Sequence, residues 1–485
     1  MPARSIAAHE TMWRRIPPPH DVAIVLRWAG LTCGGSHADR ETATGSRGLR
    51  SCDVHACRPQ RPSQLRPASR RSILPCHTPV RDLAERLPSR RFGDPVAGDR
   101  VVTSTPDAAM RIVLVSHSAR LGGAELCLLE LAEGLVRGHG AEVDVVLPAP
   151  GPLAAPLIAA GARPRVVRNY GWATANVPRP AAMALMAPNA VAIVRLAAWL
   201  RRRRPHVVAT NSIINPAGAY AARLAGVPHV WLVNEYGDLD HGYRFALGVE
   251  RTLRRVDRLS GRIVTCSRAL ARRVGEHVAD GKVEVAYYAV TTGLDRPLLP
   301  APGEALAPRV LILGRKHPGK GQIDAIRAVA RLRERGCAAK LRAVGESQGT
   351  YGLELERECA GLAAGAVTLV PRVADAVAEI DACDVLLLCS RCEAFGRVVV
   401  EAMKRSRPVV VTDAGGAREL AVDSGGGPLY PPGDDAALAD AIERLGRDPA
   451  AARRMGESGL AWAGRHCTLA GYADSFLGAV RRARG

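Results

Sequence analysis

From Met110 to the C-terminus, short runs of Val, Ile and Leu alternate with amphipathic stretches, and no other feature restricts the fold as strongly. Strands are expected at 111–116, 143–147, 206–210, 229–233, 262–266 and 283–287, then at 309–313, 340–344, 366–370, 384–389 and 408–412. Several are nearly uninterrupted aliphatic runs, such as Ile112-Val113-Leu114-Val115, the pattern of parallel strands covered on both faces. Between them, Ile193, Leu196, Ala197 and Leu200 follow helical spacing and stop at Arg201–Arg204, ahead of Pro205. Leu438, Ala441, Ile442 and Leu445 repeat that spacing after Asp434-Asp435, where acids favour a helix start. Strand–helix alternation over about 375 residues predicts an α/β chain with two doubly wound, Rossmann-like domains facing a cleft. The boundaries read as 109–292 and 293–485, with Pro297–Pro308 as the linker.

Residues 1–108 break this pattern. They hold 17 Arg, no Lys and 10 acids, a net of +7 out of the +20 carried by all 485 residues. Stretches such as Arg58-Pro59-Gln60-Arg61-Pro62-Ser63 have no apolar period and read as a low-order basic extension, disordered or weakly ordered. Met110, directly before the first strand, is an alternative start. Cys52, Cys57, Cys76 and His77 do not keep a recurrent zinc spacing.

The basic balance suggests a polyanion, yet only five of the 67 basic residues are Lys and aromatics make up 4%. That is too few for base-stacking platforms, so no nucleic-acid partner is expected. Twelve cysteines without an export signal point to reduced thiols and a cytoplasmic location. Arg201–Arg204 with Arg251, Arg254, Arg255, Arg258 and Arg262 fit either a solvated helix face, the commoner case, or peripheral docking on the anionic inner face of a membrane.

Two segments carry chemistry. In Gly314-Arg315-Lys316-His317-Pro318-Gly319-Lys320-Gly321 a strand runs into a glycine-rich turn and then a helix. Glycines let the backbone approach an anion, the helix start offers free N–H groups, and Arg315 and Lys320 add positive charge: a diphosphate site. A Walker A loop would need Ser or Thr after Lys320, where Gly321 stands. In Glu393-Ala-Phe395-Gly396-Arg397-Val-Val-Val-Glu401 two carboxylates flank a strand-to-helix turn, suited to sugar hydroxyls, with Gly396 freeing backbone N–H groups. Thr412-Asp413-Ala-Gly415-Gly416-Ala-Arg-Glu419 follows. Cys389 and Cys392 have a redox spacing that coincides with this segment.

With these motifs in view, residues 110–485 resemble the retaining glycosyltransferases of family 4, which have the GT-B fold. Glu393 to Glu401 matches the family's Glu-x7-Glu signature, Arg315 and Lys320 match its basic glycine loop, and Gly122-Gly123-Ala124-Glu125 matches the glycine-rich turn of its first domain. The run from Pro431 through Asp448-Pro449 to Met455-Gly456 is also typical. The resemblance implies transfer of a sugar from a UDP- or GDP-sugar to a hydroxyl acceptor, such as a glycan, glycolipid or small molecule. It implies retained configuration, no metal, and the nucleotide-sugar as co-substrate instead of a cofactor. It further implies catalytic roles for Glu393, Lys320 and Arg315, and a donor site including Glu401, Phe395, Gly396, Gly314, Gly122 and Gly123. Terminal helices are expected to return to the first domain.

One departure concerns the first domain. Where many members carry His after a strand, this chain has Asn234, followed by Glu235 and, beyond Asp238-x-Asp240, His241. With His117, these form the acceptor-side candidates. Asp238-x-Asp240 also mimics a metal motif of another glycosyltransferase fold. The rival readings are an epimerase or hydrolase of nucleotide-sugars on the same fold, and a non-catalytic basic protein that binds nucleotide-sugar or membrane.

Overall fold

The computed structural model describes residues 110–174, 186–291, 294, 307–347 and 349–484. The first half contains β1 (Arg111–Val115), β2 (Glu142–Leu147), β3 (Arg163–Val166), β4 (Ala173–Thr174), β5 (Val207–Asn211), β6 (His229–Val233), β7 (Arg244–Phe245), β8 (Arg262–Thr265) and β9 (Val283–Val285). Strands β4 and β7 pair antiparallel with each other, and the rest form one parallel sheet of order β3-β2-β1-β5-β6-β8-β9. The second half contains β10 (Arg309–Leu313), β11 (Lys340–Val344), β12 (Val367–Val370), β13 (Val385–Leu388), β14 (Val409–Thr412) and β15 (Leu429–Tyr430). Their sheet is parallel, of order β12-β11-β10-β13-β14-β15.

Both orders reverse direction once, between β1 and β5 and between β10 and β13. Helices connecting strands on either side of such a switch point lie on opposite faces, leaving a crevice at the carboxyl ends of the strands. The central strands β5, β6, β13 and β14 are buried along their whole length, which explains the aliphatic runs of β13 and of Val409–Val411 in β14. The buried polar Thr210 of β5 and His229 of β6 pair with each other at 2.8 Å. Helix Met186–Arg203 and helix Asp435–Arg447 lie where the periodicity places them, and Asp434 caps the latter through Ala437 N (2.9 Å).

Some local expectations are revised. The strand expected over 283–287 ends at Val285, because Tyr287 and Tyr288 turn away to pack on Phe395, with ring centroids 6.1 and 4.8 Å apart. Strands β3, β4, β7 and β15 are additions. Edge strand β3 is largely exposed and contains Pro164, and the other three span two residues each, so none leaves an apolar run. The extension 1–108, its cysteine cluster, and linker residues 297–306 lie outside the described residues.

Helix Leu469–Arg484 packs on the first domain, against Gly134 and Gly261, and Arg482 Nε donates to Glu284 Oε1 at 2.8 Å. Helix Pro449–His466 stays on the second, with Gly456 against Ser406 and Gly459 against Met403. The aromatic contacts Tyr287–Trp462 (5.7 Å) and Tyr288–Tyr472 (5.6 Å) join the two halves. Such pairs add roughly 0.5–1.5 kcal/mol each beyond their buried area. Among the described residues, no helix is long and apolar enough to cross a membrane.

Candidate active site

On the second domain, two loops at the β10/β13 switch point are locked together. After Leu313 the chain turns through Gly314, Gln322 Nε2 donates to Arg315 O (3.0 Å), and Gly319 N donates to His317 Nδ1 (3.1 Å). A short 3-10 turn, Pro318–Lys320, leads into helix Gln322–Glu334. Gly321 has φ +67°, and a Cβ there would stand 2.2 Å from Cys389 O, so a side chain is excluded on both counts. Arg391 N donates to Gly319 O (3.1 Å) and ties the loop to the one after β13. The result is Lys320 Nζ 2.6 Å from Glu393 Oε2. Burial pushes the Glu393 carboxyl up, but Lys320 outweighs it and holds the group below its ordinary range, as a carboxylate. Arg315 is exposed at the mouth and has no carboxylate partner among the described residues.

Gly396, at φ +93°, starts helix Arg397–Lys404, with Phe395 buried behind it. Arg397 stands in the first turn, where the helix dipole disfavours a cation. It is held there by carboxylates: its Nη1 and Nη2 reach Glu130 Oε2 and Oε1 at 2.5 and 2.8 Å, and its Nε reaches Glu401 Oε1 at 3.1 Å. Glu130 belongs to helix Gly123–Glu133 of the first domain and also accepts from Thr291 N (2.8 Å). This buried group therefore bridges the two domains. Glu401 lies behind Arg397; burial raises its pKa and Arg397 opposes that rise.

The first domain contributes the β1/β5 switch point. Gly122 and Gly123 open the helix that carries Glu125, whose Oε1 lies 3.1 Å from His117 Nε2. Burial lowers the His117 pKa against the pull of Glu125. After β5, Ser212 adopts φ +81°, rare for a residue with a side chain. Its hydroxyl donates to Glu235 Oε1, which also accepts from Ile213 N at 2.9 Å. Glu235 is 6% exposed, and burial pushes its carboxyl up to about 8, the Ser212 hydrogen bond notwithstanding. Asn234 donates to Asn211 Oδ1 (2.6 Å) and accepts from Tyr288 OH (2.8 Å). Asp240 accepts from Tyr236 N and Gly237 N at 2.9 and 2.8 Å, closing its own turn, and His241 stacks on Tyr243.

These pieces enclose a cavity of about 680 Å³ between the domains. His117, Gly122, Gly123, Asn234, Glu235 and His241 line it from one side, and Arg315, Lys320, Glu393, Phe395 and Gly396 from the other. Gly314 and Glu401 stand behind its wall. Sequence reasoning did not single out Arg397, Ser212, Tyr243 or Tyr288, which also line it. A cation at the first position of a helix was a usable signal for Arg397; nothing local marks Ser212. Cys389 and Cys392 are free thiols that burial raises to about 12, unsuited to redox exchange. Of the arginines considered for a membrane surface, Arg203, Arg254 and Arg262 are engaged by Glu142 with Asp144, by Glu250 and by Glu284.

Residues 121–294 match the family described as Glycosyltransferase Family 4, and residues 307–448 match Glycosyl transferases group 1. Glycogen synthase of Mycobacterium tuberculosis is 29% identical over 266 residues, 52% of this chain and 63% of that protein. D-inositol 3-phosphate glycosyltransferase of Stackebrandtia nassauensis is 35% identical over 209 residues, 39% of this chain and 46% of that protein. The chain thus spans less than two thirds of the length of these curated relatives. In structure, HepE of Anabaena, solved in complex with UDP and glucose, superposes with a TM-score of 0.62 at 24% identity, over 77% of this chain and 99% of that one. Two facing parallel α/β domains, the Lys320–Glu393 pairing at the second switch point and these matches agree: the chain belongs to the GT-B glycosyltransferases, with a family 4 domain followed by a group 1 domain.

Proposed function

We propose that this enzyme transfers a sugar from a nucleotide-diphosphate-sugar to a hydroxyl acceptor, with retention of configuration and with side-chain cations in place of a metal. The Lys320–Glu393 pair at 2.6 Å, beside the unpaired Arg315, carries this reading. Arg315 and Lys320 neutralise the diphosphate as it departs, where charge develops in the transition state. Glu393, kept ionised, accepts hydrogen bonds from the donor sugar, and the backbone at Phe395 and Gly396 adds N–H donors. Glu401 serves the ribose once its 3.1 Å contact with Arg397 is given up, Arg397 remaining on Glu130. The bond from sugar C1 to the diphosphate oxygen breaks, the acceptor oxygen bonds to C1 on the same face, and its proton passes to the departing phosphate. Contact with an anionic membrane would rest on Arg202, Arg251 and Arg258, which are exposed and have no carboxylate partner among the described residues.

The test screens UDP- and GDP-sugars for thermal stabilisation, about 2.7 kcal/mol at 100 times Kd, and then follows product by mass spectrometry. Lys320→Ala and Glu393→Ala are expected to abolish transfer while the fold persists. Full transfer by either variant, or an inverted product, refutes the reading. Donor turnover without any acceptor indicates a hydrolase instead.

A further inference from the structure

On the sugar-transfer reading, the first-domain wall of the cavity is the acceptor side, and three carboxyls stand there: Glu125, Glu235 and Asp240. Asp240 is engaged through both oxygens, and Glu125 has a basic partner in His117. Glu125 Oε1 meets His117 Nε2 at 3.1 Å, and Asp240 uses both oxygens on the backbone of its own turn. Glu235 differs. Its Oε1 takes both hydrogen bonds available to it, from Ser212 and Ile213, while Oε2 has no protein partner among the described residues. The side chain is more than nine-tenths buried, yet it forms part of the cavity wall. The strained φ of Ser212 serves to bring the hydroxyl onto Oε1, which fixes the carboxyl plane and leaves Oε2 for a ligand.

A buried carboxylate that is half satisfied and lies near two others calls for a positive partner. Among the described residues the protein supplies none at Oε2, and the nearby imidazole of His117 is turned to Glu125. Lys320 is held by Glu393 and Arg397 by Glu130 and Glu401, Arg315 stands on the donor side, and Arg120 is exposed at the rim. The raised pKa of Glu235, which burial dominates and Asp240 and Glu125 augment, expresses the same deficit in terms of protons. Before an acceptor binds, a proton takes the place of the missing cation, and an arriving ammonium releases it to solvent.

We propose that Glu235 Oε2 recognises an ammonium group of the acceptor, so that this enzyme glycosylates an amino-bearing polyol in preference to a phosphorylated or neutral one. The ammonium is a recognition element and not the nucleophile, which remains a hydroxyl. Glu125 and Asp240 supply surrounding negative potential that draws a cation in and repels a phosphate. This inference rests on the proposed sugar transfer and narrows its acceptor to one chemical class.

The test measures binding to the enzyme saturated with UDP, or with GDP where the thermal screen selects it, by titration calorimetry. The probes are glucosamine, glucose, N-acetylglucosamine and glucose 6-phosphate. Glucosamine is expected to bind about tenfold or more tightly than glucose and N-acetylglucosamine, with glucose 6-phosphate weakest. In Glu235→Gln the preference collapses to within about twofold, while the nucleotide still stabilises the fold. Equal or tighter binding of glucose 6-phosphate overturns the inference, as does absence of glucosamine binding to the wild-type nucleotide complex. A preference that survives in Glu235→Gln also overturns it. Failure of the wild type to bind either nucleotide would instead refute the sugar-transfer reading, so the two failures are distinct.

Discussion

Glu235 makes a quantitative claim about stability. Its carboxyl titrates at about 8 in the fold against an ordinary 4.5, with burial as the dominant cause. Between those values the folded chain holds a proton that the unfolded chain has released, so stability falls as pH rises through this window. At about 1.4 kcal/mol per pH unit, the loss accumulates to about 5 kcal/mol above pH 8. Relaxation around a buried charge reduces this figure, and a loss of roughly 2–5 kcal/mol is expected. Glu235→Gln keeps an oxygen for Ser212 and Ile213 but removes the charge. The variant should match the wild type near pH 5 and exceed it by roughly 2–5 kcal/mol at pH 8.5. Urea unfolding followed by tryptophan fluorescence reads this directly. Trp172 and Trp231 stack at 5.9 Å, and Trp231 Nε1 donates to Ser212 O at 3.0 Å, so the reporter adjoins the site. Equal stabilities at pH 8.5, or an advantage that grows toward acid, would refute the reasoning.

Two further perturbations test the seam and the donor loop. Glu130→Ala leaves the buried Arg397 guanidinium with Glu401 as its remaining carboxylate among the described residues, beside the Cys127 sulfur, and breaking such a pair costs about 3–5 kcal/mol. Denaturant titration should show that loss, and a change below about 1 kcal/mol would mean that solvent reaches the seam. Gly321→Ala places a Cβ 2.2 Å from Cys389 O at a φ of +67°, so the loop must move. Destabilisation of about 1–3 kcal/mol is expected, with a raised Kd for nucleotide by calorimetry. Unchanged nucleotide affinity would show that the loop's position does not govern the diphosphate site.

The fold and half of the site were legible because both leave local traces. Strands covered on two faces are rich in aliphatic residues, so Ile112–Val115 of β1, β13 and Val409–Val411 of β14 announce themselves, and β5 and β6 do so through shorter apolar runs. Loops that approach an anion or another backbone need glycine, so Gly314–Gly321 and Glu393–Gly396 can be recognised. What stayed hidden depends on contacts far apart in sequence. Arg397 is set by Glu130, 267 residues away, and Ser212 by Glu235, on a neighbouring strand end. The family resemblance assigns Glu401 to the donor, and its position behind Arg397 follows from a contact the sequence does not show, since Glu130, the other carboxylate partner of that arginine, comes from the first domain. Edge strand β3 escaped because exposure removed its apolar pattern.

The two sheets share one strand order through their first six strands, so their switch points begin as equivalent crevices ringed by helix starts, which favour anions. The second domain keeps that character: Arg315 and Lys320 stand at the start of helix Gln322–Glu334, and Glu393 is balanced by Lys320. The first domain reverses it. Glu125 occupies the first turn of helix Gly123–Glu133, and Asp238 and Asp240 occupy that of helix Asp238–His241. Acids there offset the positive helix starts, and Asp240 also accepts from Tyr236 N and Gly237 N. Glu125 on the cavity wall weakens the crevice as a seat for a second phosphate, and on the reading proposed above the partly unsatisfied Glu235 sets its charge preference. One topology thus yields a basic loop and an acid-lined wall across a single cavity, and on the proposed sugar transfer this contrast sets leaving group and acceptor apart electrostatically.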